Sequence, residues 1–329
     1  MDTIIFEKPV FVRSWSSCVG KKETEGPLGR YFDHTSQDNL FGEKTWEKAE
    51  RRMLETAWQD AVQKSGIEQR QIGVALGGDL LNQCVSTSFS LRDSGIPFLG
   101  LYGACSTMAE SMLVGASLIS GGIRENALCM ASSHFCSAER QYRFPLEYGS
   151  QRPPSAQWTA TASGAVVLAQ DGGSIRLTRA HIGRIFDPGV TDAGNMGAAM
   201  AQSAYETLTR YFADTGEAPA DYDLIVTGDL ASIGKRIVLD LCAGDGLNLE
   251  PCYDDCGMML YNAEQDVNAG ASGCGCSAAV LTGYLLPALA DRRLRRVLFC
   301  GTGALLSPLT TNQGESVPGV CHLVCLEAV

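Results

Sequence analysis

The chain has 329 residues, 45% of them hydrophobic and 19% charged, which describes a well-cored globular protein and excludes a disordered or low-complexity one. Its net charge is -11, and that acidic balance argues against a nucleic-acid-binding surface, which needs a basic face. An anionic ligand would have to be held by local cations or backbone amides, because the overall field opposes its approach.

The first eleven residues lack the basic start, apolar run and cleavage site of a secretory signal. No uninterrupted apolar run reaches the roughly 18 residues of a spanning helix. Residues 45 to 65 place Trp46, Ala49, Met53, Leu54, Ala57, Trp58, Ala61 and Val62 at helical spacing, with Thr45 as N-cap and Gly66 as stop. A strand over Ile72 to Leu76 ends in Gly77-Gly78-Asp79. A second strand, Pro97 to Tyr102, leads through Gly103-Ala104-Cys105-Ser106 into a helix of small residues that closes at Gly121-Gly122. Further strands are expected at Ala127 to Ser132 and Gly164 to Ala169.

The same order then recurs. A helix over about 197 to 212 precedes the strand Leu224 to Thr227, which ends in Gly228-Asp229. The turn Gly270-Ala271-Ser272-Gly273-Cys274 opens a helix over 277 to 290, and strands at Val297 to Cys300 and His322 to Leu326 complete the chain. Two copies of one strand–helix unit, 1–172 and 173–329, joined near Asp171-Gly172-Gly173, account for this pattern. The alternation calls for an α/β protein with largely parallel, helix-covered sheets.

Thirteen cysteines are present, several inside apolar strand-like runs (Cys129, Cys300, Cys325), where buried free thiols are expected rather than disulfides. Cys252, Cys256, Cys274 and Cys276 lack the paired C-x2-C knuckles of a zinc site. Gly301-Thr302-Gly303 reads as strand–helix punctuation, since a phosphate loop would need a lysine.

Cys105 is the principal candidate. A cysteine between a buried strand and a helix start meets free N–H groups and a partial positive charge, both of which favour thiolate. His134 ends the following strand and either faces a pocket or is a hydrogen-bonded core histidine. Arg140, Arg143 and Arg152 could grip a small dicarboxylate through bidentate pairs, or form surface ion pairs with Glu139 and Glu147.

The paired halves, the Gly103-Ala104-Cys105-Ser106 turn and the strand Gly164-Ala165-Val166-Val167-Leu168 resemble the thiolase superfamily, in particular its ketoacyl-synthase III branch. Closer still is the stage V sporulation protein AD family of endospore-forming bacteria. It is matched by the continuous block from Ser132 to Gly149, by Gln151-Arg152-Pro153-Pro154, by Gln157-Trp158-Thr159, by Val226 to Leu230 and by Asp254-Asp255-Cys256-Gly257. The resemblance implies a duplicated five-layer αβαβα fold with a pocket between the halves, Cys105 at its floor, and a homodimer.

Synthases of this branch carry a histidine where the chain has Thr227-Gly228-Asp229-Leu230-Ala231-Ser232. They carry an asparagine where it has Gly273-Cys274-Gly275-Cys276-Ser277-Ala278. Those two residues supply oxyanion donors and acid/base function, so condensation chemistry loses its main support. Asp229 and Asp255 then either position a calcium chelate or cap helices, with capping the preferred reading for Asp229. The resemblance implies binding of dipicolinic acid or its calcium chelate, and support of its uptake into the developing spore with integral membrane channel partners. It places the protein peripherally on the spore inner membrane after cytoplasmic synthesis, with no cofactor and no resident metal. The alternative is an acyltransferase that uses Cys105 as acyl acceptor.

Overall fold

The computed structural model describes residues 2–142 and 152–329. Ten strands form the main path of a mixed sheet, and its two ends repeat one another. From one edge the first-half strands run Phe98–Gly100, Ala75–Asp79, Asn126–Ser133, Ala162–Ala169 and Phe11–Val19. From the other edge the second-half strands run Tyr253–Asp255, Leu224–Thr227, Arg296–Ala304, Gly319–Ala328 and Ile175–His181 in the matching order. In both sets the three strands nearest the edge pair in parallel and the remaining neighbours antiparallel. Phe11–Val19 and Ile175–His181 join the sets through a short antiparallel contact, Phe11 opposite Arg176 and Val12 opposite Ile175.

Alternation of side chains along each strand feeds separate cores. On the outer first-half face, Met53, Leu54, Ala57 and Trp58 of helix Trp46–Ser65 pack against Leu128, Met130, Ala165 and Val167. On the outer second-half face, Met200, Leu208 and Tyr211 of helix Met196–Thr215 meet Leu298, Cys300 and Leu323. Between the halves, Met108, Met112 and Ile119 of helix Thr107–Ser120 lie with Val280 and Leu281 against Val166, Leu168, Phe299 and Val324. Helix, sheet, central helices, sheet, helix: these are the five layers.

Several boundaries differ from expectation. The expected strand Ile72 to Leu76 sits three residues later, at Ala75–Asp79, because Gly77 and Gly78 belong to the ladder. The expected helix over 277 to 290 starts at Cys274 and carries a π turn, Leu281–Leu285, ahead of Pro287. The strand Phe11–Val19 escaped the sequence reading because it is rich in serine. Those serines are buried against the outer helix, where Ser14 Oγ donates to Ala61 O at 2.6 Å and Ser16 Oγ to Asp60 Oδ2 at 2.7 Å. All thirteen cysteines are free, and no helix among the described residues is long and apolar enough to cross a membrane.

Candidate functional site

The edge strand Phe98–Gly100 runs into a 3-10 turn, Ala104–Ser106, at the head of helix Thr107–Ser120. Ala104 adopts φ 50, a left-handed conformation that a side-chain-bearing residue takes at a cost of about 1–3 kcal/mol. Local bonds hold it there: Ser106 Oγ donates to Gly103 O at 2.7 Å and Thr107 Oγ1 to Ala104 O at 2.7 Å. The turn rests on the second-half strand Arg296–Ala304. A Cβ on Gly303 would approach Gly103 O to 2.3 Å, so only glycine lets the strand support the cysteine turn this closely. Gly301-Thr302-Gly303 is therefore not punctuation between a strand and a helix; it lies within the strand and faces the Cys105 turn.

Cys105 is 5% exposed, and its thiol lies within electrostatic reach of the Asp229 carboxyl. Asp229, itself fully buried, also accepts from Thr302 Oγ1 at 2.7 Å, Gly273 N at 2.9 Å and Ser272 Oγ at 3.2 Å. Burial pushes the Cys105 thiol well above its ordinary range, and the negative charge of Asp229 adds to that; the Gly273 N–H works weakly the other way. The Asp229 carboxyl is also raised, chiefly by burial. A cysteine nucleophile needs a neighbouring base or cation to release its proton. Here the neighbour is a carboxyl group whose negative charge disfavours the thiolate.

A cavity of about 140 Å³ opens over this thiol between the halves. Its polar lining is Cys105, Glu139, Tyr142, Thr159 and Ser272, and Leu80, Met196 and Leu306 contribute apolar wall. Glu139 and Tyr142 project from helix Phe135–Tyr142, so the first half supplies one wall and Met196, Ser272 and Leu306 of the second half the other.

Of the residues singled out from sequence, Cys105 and Asp229 are brought together at this floor. His134 is a buried core histidine: Cys136 N donates to its Nδ1 at 3.2 Å, leaving Nε2 to donate to Asn39 O at 2.8 Å. Burial lowers its pKa, which keeps it neutral, and it does not line the cavity. Arg140 turns away to a surface ion pair with Glu47, its guanidinium 5.4 Å from the Trp46 ring centroid. Among the described residues its ion-pair partner is Glu47 rather than Glu139, and Glu147 lies outside them. Arg152 donates to Gln157 O and lies over the Trp158 ring at 4.8 Å, outside the cavity lining. Arg143 falls outside the described residues.

The capping expectation for Asp229 is corrected by position. The group that caps helix Ala231–Gly244 is Asp255, which accepts from Leu230 N at 2.9 Å, Ala231 N at 2.8 Å and Thr227 Oγ1 at 2.7 Å. Burial raises its carboxyl to about 7. Among the described residues no three His, Cys, Asp or Glu side chains gather as a metal-holding group.

Tyr142, Thr159 and Ser272 were missed as lining residues, and Glu139 was read only as an ion-pair partner. Glu139, Tyr142 and Thr159 sit in motifs marked by resemblance and Ser272 in the turn that opens a helix, but a helix face or a two-residue strand gives no periodic signal of which side chain turns inward.

The duplicated sheet sets and the cysteine at the buried helix head define a thiolase-like protein. Chain-long structural neighbours agree. They include 3-oxoacyl-[acyl-carrier-protein] synthase III from Aquifex aeolicus (TM-score 0.60, 13% identity, 97% of this chain and 99% of that one). They also include a variant of OleA from Xanthomonas campestris (TM-score 0.62, 14% identity, 98% and 99%). At such identities the likeness is one of fold. The family described as stage V sporulation protein AD matches residues 1–327. The stage V sporulation protein AD of Bacillus subtilis (strain 168) is 44% identical over 325 residues, 99% of this chain and 96% of that protein. The chain belongs to the stage V sporulation protein AD family.

Proposed function

We propose that this sporulation protein binds dipicolinic acid, as the free acid or its calcium chelate, in the cavity above Cys105, and supports its uptake into the developing spore. The observation that carries this reading is the pairing of Cys105 with Asp229: the pocket of a thiolase-like enzyme is kept while its nucleophile is held as a thiol. The lining offers the Thr159 hydroxyl as a donor and the Ser272 hydroxyl oxygen as an acceptor for a small polar ligand. An acyl-accepting role for Cys105 is opposed by the same pairing, because a protonated buried thiol is a poor nucleophile.

Integral membrane channel proteins as partners and a peripheral position on the spore inner membrane belong to the same proposal. So does a homodimer. Among the described residues the edge strand Phe98–Gly100 has an unpaired side, and its Leu99 (51% exposed) and the nearby Phe89 (49% exposed) form a surface suited to a second copy.

Calorimetric titration of the full chain with dipicolinate, with and without calcium, tests the reading. Saturable heat in either titration is expected. No heat in both would overturn it.

A further inference from the structure

Two buried carboxyl groups stand behind the pocket walls, and the chemistry of Cys105 uses neither. Glu50 of helix Trp46–Ser65 is 1% exposed and Asp79, at the end of strand Ala75–Asp79, is fully buried. They bracket one residue: Ser132 is the register partner of Asp79 and donates its Oγ to Glu50 Oε1 at 3.0 Å.

Each carboxyl also holds a wall. Glu50 Oε2 accepts from Ser137 Oγ at 2.8 Å, and Ser137 begins the helix whose Ala138, Glu139 and Tyr142 line the cavity. Asp79 accepts from Leu81 N at 3.0 Å, and from Thr87 N at 2.8 Å and Oγ1 at 2.7 Å, which fixes the chain on either side of the lining residue Leu80. The walls are tied together in turn, since Leu80 O accepts from Gln141 Nε2 at 2.9 Å and from the Tyr142 hydroxyl.

We propose that Glu50 and Asp79, on either side of Ser132, act as one electrostatic pair that positions these two walls, so that loss of its last proton loosens the pocket and weakens ligand binding. This rests on the reading of the cavity as a ligand site. Two carboxylates this deeply buried cannot both ionise without mutual repulsion. The titratable groups that face the pair from the surrounding elements include the thiols of Cys84 and Cys274 and the Tyr102 hydroxyl, all raised, mainly by burial, and so neutral. Burial, with the neighbouring Asp79 charge, lifts the Glu50 carboxyl to about 8. The folded chain therefore keeps a proton that the unfolded chain releases near the ordinary carboxyl value. The stability gained from that proton is full in acid and is lost as pH rises towards about 8.

The test is a dipicolinate titration of the full chain from about pH 6 to about pH 9, a range in which the ligand's own carboxyls stay ionised. Wild-type affinity should fall about tenfold across the upper half of that range, while Glu50→Gln, which keeps the hydrogen bonds without the titration, should give a flat profile. Ser137→Ala should flatten the binding profile yet leave the pH dependence of the unfolding midpoint in place. Parallel profiles for wild type and Glu50→Gln would overturn the proposal. If no form binds at any pH, the ligand reading fails instead. The pair is then judged by the unfolding midpoint, which should drop with rising pH more steeply in wild type than in Glu50→Gln; equal slopes would overturn it. Should Glu50→Gln not fold, Asp79→Asn replaces it in every comparison.

Discussion

The thiol of Cys105 sits beside the buried carboxyl of Asp229, across the seam between the two halves of the molecule. Thiolate formation would set two negative charges side by side in a site with little water, so burial and the Asp229 charge act in the same direction. The helix head that would otherwise favour thiolate is outweighed.

Replacing Asp229 with Asn removes that charge and should lower the thiol pKa. Alkylation of Cys105 by iodoacetamide at neutral pH should then run about tenfold faster than in wild type, read by mass spectrometry of the Cys105 peptide. An unchanged rate would mean that burial alone sets the thiol's state.

Acyl-CoA thioesters of several chain lengths should leave the wild-type mass unchanged on incubation, because a thiol held protonated does not attack a thioester. An adduct mapped to Cys105 would restore the acyltransferase alternative.

Asp255 is expected to matter for folding rather than for binding. Asp255→Ala strands the backbone N–H groups of Leu230 and Ala231 in the interior and uncaps helix Ala231–Gly244. Denaturant unfolding should show a loss of about 2–4 kcal/mol.

Gly303→Ala drives a Cβ into the Gly103 carbonyl that begins the cysteine turn. A loss of about 1–3 kcal/mol in denaturant unfolding is expected. Ligand heat should weaken with it, since the displaced group carries the pocket floor.

Much of this architecture was legible in the letters. The helix Trp46–Ser65 announced its apolar face, its Thr45 cap and its Gly66 stop, and the Cys105 turn stood out as a strand–helix junction. The family resemblance supplied the layered fold. What could not be read were contacts between distant segments. Asp229 looked like a cap for the helix just after it, but its partners come from residues 105, 272, 273 and 302. Arg140 looked like an anion ligand because arginines crowd its segment, yet its place on the helix turns it to Glu47. Glu50 gave no sign at all: an acidic residue in an amphipathic helix is ordinarily solvated, and only the packing of two serines from other elements shows it to be interior.

Dipicolinate calorimetry on wild type beside Cys105→Phe tests the central claim most directly, since the larger side chain occupies the cavity above a floor otherwise unchanged. Saturable binding to the wild type and its loss in a folded Cys105→Phe chain are predicted. Equal heat from both proteins, or none from the wild type with or without calcium, would contradict the account.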